Sequence, residues 1–228
     1  DLFHEDVPDE FRVRIFQTMQ QAEHHSFQIL TKRPERMKIF LDGVRGPYGA
    51  FRWPLPNIWL GVSVENQHWA DERIPVLLDT PAAVRFLSCE PLLGALELWP
   101  WVRECRWCPG LAGHRHEPPI NWVICGGESG PGRAERKLVE RCNDELHEER
   151  WHATGDVAYR CDLCQSTGWR PKPQALEWLR SLRDDCQAAG APFFFKQWGA
   201  TRPNAAGRLL DGREWNQLPD GSGGILDA

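Results

Sequence analysis

Five short apolar runs, separated by segments with helical periodicity, constrain the fold of this chain more than any other feature. The runs lie in FQILTKR, IWLGVSVE, VRFLSCEPLLG, INWVICGGESG and PFFFKQWG, and they are continuous rather than alternating. Continuous runs are typical of parallel strands covered on both faces. Helices are predicted for residues 8–24, for PERMKIFLDGV, for NQHWADERIPVLLDT and for PQALEWLRSLRDDCQAAG. Strands alternating with helices predict a parallel α/β sheet or barrel.

Polar residues or glycines follow each predicted strand. Because the carboxyl ends of parallel strands share one face, and that face holds the active site in such folds, we expect these side chains to converge. The alternative is that strand-end charges only solvate the rim or cap the next helix. The candidates for catalysis are Lys32, Glu90, Glu128 and Lys196, and Glu65 is a candidate for cofactor binding.

The stretch GGESGPG at 126–132 is the most glycine-dense part of the chain. Glycines directly after a strand allow a ligand to approach the backbone and its amide donors, which suits a carboxylate, a phosphate or a ribose. The dinucleotide fingerprint GxGxxG is absent, and a tight turn is the competing interpretation. The candidates for cofactor binding are therefore Gly126, Gly127, Glu128 and Ser129, together with Glu65.

Two CxxC pairs, CRWC and CDLC, have the spacing of zinc knuckles. They lie in segments 100–120 and 133–172, which interrupt the strand–helix rhythm and are predicted to be insertions that form a zinc-binding subdomain. Redox-active pairs, or a mixed site that uses nearby histidines or Cys142, are the alternatives. Cys89, Cys125 and Cys186 are predicted to be core residues. The predicted ligands of one structural zinc are Cys105, Cys108, Cys161 and Cys164.

Composition limits the classes of partner. A net charge of −5 over 228 residues argues against binding nucleic acid mainly through phosphate neutralisation, although a local basic groove is compatible with it. Neither a long apolar span nor a charged, apolar leader is visible, so we expect a cytoplasmic protein that does not enter the membrane. One domain covering 1–228 is predicted. Trp198, after a strand end, is a candidate for stacking on a base.

Several long motifs in order resemble one family. DLFHEDVPDEF, FQILTKRPERM, PLPNIWLGVSVENQ, DERIPVLLDTPAAVRFLSCEPLLG, INWVICGGESGPG and PFFFKQWG are similar to the phage-associated proteins of unknown function named after phage gene products 37 and 68. The resemblance implies a TIM-like (β/α) barrel of the radical S-adenosylmethionine (SAM) type, found in phages and prophages. It also implies an iron–sulfur cluster, bound SAM and, as partner, a three-cysteine-motif protein.

In the family, three cluster cysteines lie upstream of the segment seen here. The chain begins at Asp1 without an initiator methionine, so we expect an N-terminally truncated barrel that lacks those cysteines. By resemblance, Gly126, Gly127 and Glu128 contact SAM. Likewise, Glu90, Lys32 and Lys196 contact the substrate or the SAM carboxylate.

Two other classes of function remain open at this point. One is a barrel hydrolase that uses Glu65, Glu90 and Glu128 as paired carboxylates. The other is a non-catalytic module in which zinc loops and Trp198 hold a nucleic acid or a protein.

Overall fold

The computed structural model describes residues 1–44, 52–103, 119–130, 137–142, 167–221 and 224–227. All five apolar runs form strands, and the four predicted helices are present, which confirms a mixed α/β fold. The helices are α1 (Asp9–Gln21), α2 (Pro34–Val44), α3 (Gln67–Leu78), α4 (Trp99–Arg103) and α5 (Pro173–Ala189). The strands are β1 (Phe27–Thr31), β2 (Ile58–Ser63), β3 (Val84–Cys89), β4 (Trp122–Gly126), β5 (Val139–Arg141), β6 (Trp169–Pro171), β7 (Phe193–Gln197), β8 (Gln217–Pro219) and β9 (Ile225–Asp227).

The main sheet is parallel, and its strands lie side by side in the order in which they occur in the chain, β1-β2-β3-β4-β7. A larger core joins one face of these strands to buried residues of the helices, such as Phe16, Met37 and Leu179. A smaller cluster on the other face contains strand residues only, among them Trp59 and Trp122. In the part of the chain that is described, the sheet therefore has one helix-covered face and one helix-free face.

The β7 edge of the sheet is covered by an antiparallel segment near the end of the chain. Phe195 N–H donates to Trp215 O at 2.9 Å, and Phe194 bridges Asn216 in antiparallel fashion. The indole of Trp122 donates to Gln217 O at 2.9 Å. Among the described strands β1 and β7 do not pair with each other. The structure therefore shows a five-stranded parallel sheet, and the N-terminally truncated TIM-like barrel that we expected is not shown by the described residues.

Strands β5 and β6 form an antiparallel ribbon at the two ends of the second predicted insertion. The ribbon is stabilised by the bond from Lys172 N–H to Leu138 O at 2.9 Å and by the ion pair of Arg170 with Glu140 at 2.7 Å. The first predicted insertion begins inside α4, whose Val102 is fully buried in the main core. The predicted zinc ligands Cys105, Cys108, Cys161 and Cys164 lie outside the described residues, so the structure gives no support for a zinc knuckle.

The helix ends follow local chemistry. Helix α1 begins at Asp9 after an extended Pro8, with two acidic residues in its first turn. It ends at Gln21, so it is shorter than the helix predicted over 8–24. Helix α5 ends at Gly190, which adopts a left-handed conformation with φ 72° and was the predicted stop. In the described part of the chain, no helix combines the length and hydropathy needed to cross a bilayer.

Three cysteines lie in the main core, as predicted. Cys89 and Cys125 are register neighbours on β3 and β4, and Cys186 is on α5; all three are fully buried. Burial raises the pKa of Cys125 and of Cys186 well above the usual value of a thiol. Buried thiols of this kind are packing residues, since nucleophilic chemistry needs the thiolate.

Candidate functional site

Charged side chains meet at the carboxyl edge of the sheet, where we expected them. We call this set the rim. It comprises Lys32 after β1, Glu65 after β2, Glu90 after β3, Gly126 at the end of β4 and Lys196 within β7. The side chains of the rim form two groups, Lys32 with Glu65 and Glu90 with Lys196. Within the described residues, no hydrogen bond or ion pair between side chains joins one group to the other.

The first group contains an arginine that the sequence analysis missed. Glu65 is only 5% exposed and forms ion pairs with Lys32 through Oε1 and with Arg73 through Oε2, the latter at 3.0 Å. The same Nη1 atom of Arg73 donates to Ser63 O at 2.8 Å. A signal for Arg73 was present in the sequence, because it occupies the buried stripe of α3 with Ala70, Ile74 and Leu77. A charged residue in such a stripe indicates a buried partner.

The Glu65 carboxyl is held as a carboxylate. Burial raises its pKa, but the hydrogen bond from Lys32 and the charges of Lys32 and Arg73 outweigh burial, so the pKa lies below its usual value. Lys32 is exposed over 56% of its side chain. A buried anion thus holds an exposed ammonium group at the rim, where that group can meet an anionic ligand.

The second group lies above Gly126, on the helix-free face. Lys196 Nζ is 3.4 Å from Glu90 Oε1 and 3.5 Å from Oε2. A Cβ atom at Gly126 would lie 2.4 Å from Glu90 Oε1, so Gly126 leaves the space that the Glu90 carboxylate occupies. The register of β4 and β7 shifts at this point, and Gly126 pairs with Gln197 rather than with Lys196. The need for glycine at position 126 is therefore explained by the contact with Glu90, without any ligand.

The segment 126–129 is packed closely against the chain that follows β7. Gly127 N–H donates to Gln197 O at 2.8 Å, and a Cβ atom at Gly127 would lie 2.0 Å from Trp198 O. Ala200 N–H donates to Glu128 O at 2.9 Å, and the amide of Gln197 donates to the Ser129 hydroxyl. The close approach that we predicted for a ligand is made at Gly127 by the backbone of this chain. Glu128 is 9% exposed.

Trp198 is not a stacking platform, and that hypothesis is wrong. The side chain is 3% exposed, its indole donates to Leu209 O at 2.8 Å, and its ring packs edge-on against Phe195 at 4.9 Å. Both the apolar ring and its single donor are used inside the core.

A further carboxylate that the sequence analysis missed extends the rim beside β1. Asp1 Oδ1 accepts from the Thr31 hydroxyl at 2.8 Å, and Oδ2 accepts from Arg33 Nη1 at 2.8 Å and, at 3.4 Å, from the Lys32 amide. These bonds fix the backbone from which Lys32 extends.

Metal ligands are not grouped in the described part of the chain. No set of three or more His, Cys, Asp or Glu residues there has the arrangement needed to hold a metal ion. The described cysteines are Cys89, Cys125, Cys142 and Cys186, of which all but Cys142 are buried.

Comparisons with known proteins give one match. Neither the curated proteins nor the solved structures include a match to this chain at the threshold applied. A family model matches residues 1–158 and 165–219, which is most of the chain. The chain therefore belongs to the family described as "Protein of unknown function (DUF5131)".

Proposed function

We propose that this protein is a phage-associated, radical-SAM-like enzyme that binds SAM and its substrate at the rim. The observation that supports the proposal is the single file of parallel strands, with the helices on one face and charged side chains at the carboxyl edge. The resemblance to the phage gene-product 37 and 68 proteins supplies the class of chemistry.

The strand order favours a barrel-type sheet over a doubly wound one. A doubly wound sheet reverses its strand order at a switch point and has helices on both faces. A (β/α) barrel keeps the chain order and has helices on the outer face only. The sheet described above has the second pattern over five strands, so we propose that it is part of a TIM-like barrel whose interior is the helix-free face.

The rim suits the amino-acid part of SAM. That part has one carboxylate and one ammonium group, and the Glu90–Lys196 pair offers the opposite charge to each. Lys32 offers a further cation. When bound and reduced, the cofactors would supply a radical that abstracts hydrogen from the substrate, while this chain binds and orients SAM and excludes water.

The described residues do not fit the iron–sulfur cluster. Such a cluster needs ionised thiolates that its iron atoms can reach, and three of the four described cysteines are buried in the main core, where burial raises the pKa of Cys125 and of Cys186 well above the usual value.

Anaerobic reconstitution tests the proposal. The protein expressed from its full gene is supplied with iron and sulfide, and the visible absorbance, SAM binding and formation of 5′-deoxyadenosine are measured. We expect all three, with SAM affinity weakened in Lys196→Met. The matched control is Lys38→Met, because Lys38 is an ion-paired lysine on α2, away from the rim. Absence of both SAM binding and SAM cleavage would contradict the proposal.

The contacts at the rim give less support to the hydrolase hypothesis than to the SAM hypothesis. Glycosidic hydrolysis needs one carboxyl group that is protonated and one that is ionised. Glu65 is held ionised by two cations, so it does not suit the role of the protonated acid. Hydrolysis in air in the presence of a chelator would favour this alternative over the radical mechanism.

Two further proposals concern metal and partner. We propose one structural zinc on Cys105, Cys108, Cys161 and Cys164, for which the support is the two-residue spacing within each pair. We also propose a three-cysteine-motif protein as partner, on the resemblance alone. Co-expression and co-purification of the two proteins test the partner. If neither protein is recovered when the other is captured, the result counts against this partner.

A further inference from the structure

We propose that Arg73 is a positioning residue of the rim: it holds Glu65 in one orientation and, through Glu65, places the ammonium of Lys32 where a ligand anion binds. The inference rests on the proposed function in one respect, which is that Lys32 contacts the ligand. It adds a residue to which neither the strand-end pattern nor the resemblance assigns a role.

Three contacts fix the guanidinium of Arg73. Nη1 donates to Ser63 O at 2.8 Å and to Glu65 Oε2 at 3.0 Å, and the group stacks on the ring of Trp69 at 3.9 Å from its centroid. Arg73 is only 6% exposed. An arginine buried in the apolar stripe of a helix is costly unless it is paired, and here the pairing is with the last residue of β2 and with the rim.

The two oxygens of Glu65 are divided between two cations. Arg73 binds Oε2 and Lys32 binds Oε1, and the backbone of Glu65 is fixed as well, because its carbonyl accepts from Leu93 N–H at 2.8 Å. Because the buried, stacked guanidinium of Arg73 holds Oε2, the orientation of the carboxylate is fixed and Oε1 points in one direction. That direction leads to Lys32, whose side chain is more than half exposed.

The group favours an anionic ligand. Two cations face one carboxylate, so the set is net positive, and an ammonium group has three donors, of which Glu65 uses one. If a neutral side chain stood at position 73, the charges of Glu65 and Lys32 would cancel, and no cation would hold the Oε2 atom of Glu65. Arg73 thus supplies both the net charge and the orientation.

The test compares Arg73→Gln and Arg73→Lys with Arg85→Gln, on the protein expressed from its full gene. Arg85 is the control because it is half-buried and donates to the carbonyls of Leu77 and Thr80, but it lies at the amino end of β3, opposite the rim. The first readout is the titration of the Glu65 carboxyl, followed by carbon NMR and assigned with Glu65→Gln. The charged groups that face Glu65 are Lys32 and Arg73.

We expect Arg73→Gln to raise the pKa of Glu65, because one of its two cations is lost. We expect Arg73→Lys to restore it in part, because the charge returns without the planar fork. Arg85→Gln should leave it unchanged although the protein is less stable. The second readout is SAM affinity, expected to fall roughly tenfold in Arg73→Gln, as for loss of one charge-assisted contact.

The outcomes separate the two proposals. An unchanged Glu65 titration in Arg73→Gln overturns the positioning role, whatever the affinity. Equal losses of SAM affinity in Arg73→Gln and Arg85→Gln also overturn it, since the effect is then one of stability. If the titration shifts as expected but the parent protein binds no SAM, the positioning of Glu65 stands and the proposed function fails. If Arg73→Gln does not fold, the test passes to Arg73→Lys: a Glu65 pKa above that of the parent protein supports the positioning role of the guanidinium, and an unchanged pKa overturns it.

Discussion

Replacing Gly127 by alanine should destabilise the protein far more than the same change one residue earlier. A Cβ atom at Gly127 would meet Trp198 O at 2.0 Å, whereas a Cβ atom at Gly126 would meet Glu90 Oε1 at 2.4 Å. The first obstacle is backbone and the second is the far end of a flexible side chain. Gly94 has nothing within 4 Å of such an atom and serves as the control.

The magnitude follows from the bonds around Gly127. Carbon atoms of this type are essentially never closer than 3.0 Å to a neighbour, so two backbone segments must separate by the difference between 2.0 and 3.0 Å. That movement breaks the bond from Gly127 N–H to Gln197 O at 2.8 Å and strains the bond from Ala200 N–H to Glu128 O at 2.9 Å. Two weakened buried bonds and the overpacking together cost about 3–5 kcal/mol. For Gly126→Ala, where Glu90 can rotate away and an exposed ion pair is lost, the cost is about 1 kcal/mol.

Urea unfolding followed by fluorescence measures the difference, since the chain has 12 tryptophans. At a slope of about 3 kcal/mol per molar, Gly127→Ala should lower the midpoint by about 1–2 M and Gly126→Ala by less than about 0.5 M. Gly94→Ala should leave it nearly unchanged. A Gly127→Ala protein as stable as the parent would refute the reasoning, because it would show that the Trp198 carbonyl does not lie against Gly127.

Two further predictions rest on the structure, and a third rests on the spacing of the cysteines in the sequence. Because the pKa of Glu65 is lower in the folded protein than its usual value of about 4.3, its stabilising effect is present at neutral pH and is lost as the pH falls from there through the folded-state pKa. Glu65→Gln should be less stable than the parent at pH 7, and a gap of constant size as the pH is lowered would contradict this. Trp198→Phe should cost about 1–3 kcal/mol of unfolding free energy through the lost indole bond and volume, measured by urea unfolding, and no loss would argue against burial. Elemental analysis should find about one zinc per chain, lost in Cys105→Ser and in Cys161→Ser, whereas a metal-free protein with a disulfide in each pair would favour the redox alternative.

The strands and helices of the sheet were predictable from sequence because each is specified by local pattern. Five apolar runs became five parallel strands, and Gly190 ended its helix as expected. The antiparallel segment against β7 was not predictable in the same way. Its sequence, REWNQLPD, has no apolar run, and it pairs through backbone groups and the side chain of Gln217. Pairings of this kind depend on residues distant in the chain, which local periodicity does not report.

The rim was predictable as a location and not as a set of contacts. The rule that strand ends share one edge placed Lys32, Glu65, Glu90 and Lys196 there, but which lysine meets which glutamate depends on strand separation and register. Glycine after a strand indicates close approach without saying what approaches. At Gly127 the approaching group is the carbonyl of Trp198, in the same chain.

The order of the strands has a consequence for how the chain assembles as it leaves the ribosome. Strands β2, β3 and β4 each pair with the described strand that precedes them in the chain, so each of these additions closes a comparatively short loop. β7 waits for the whole of the second insertion, and its outer edge stays open until residues 215–217 have been made. Until that moment a nascent chain presents an unpaired, phenylalanine-rich strand, FFFKQ, which is the type of edge that recruits other chains. Among the described segments, the one made after β7 thus has a role during synthesis as well, because it covers this edge.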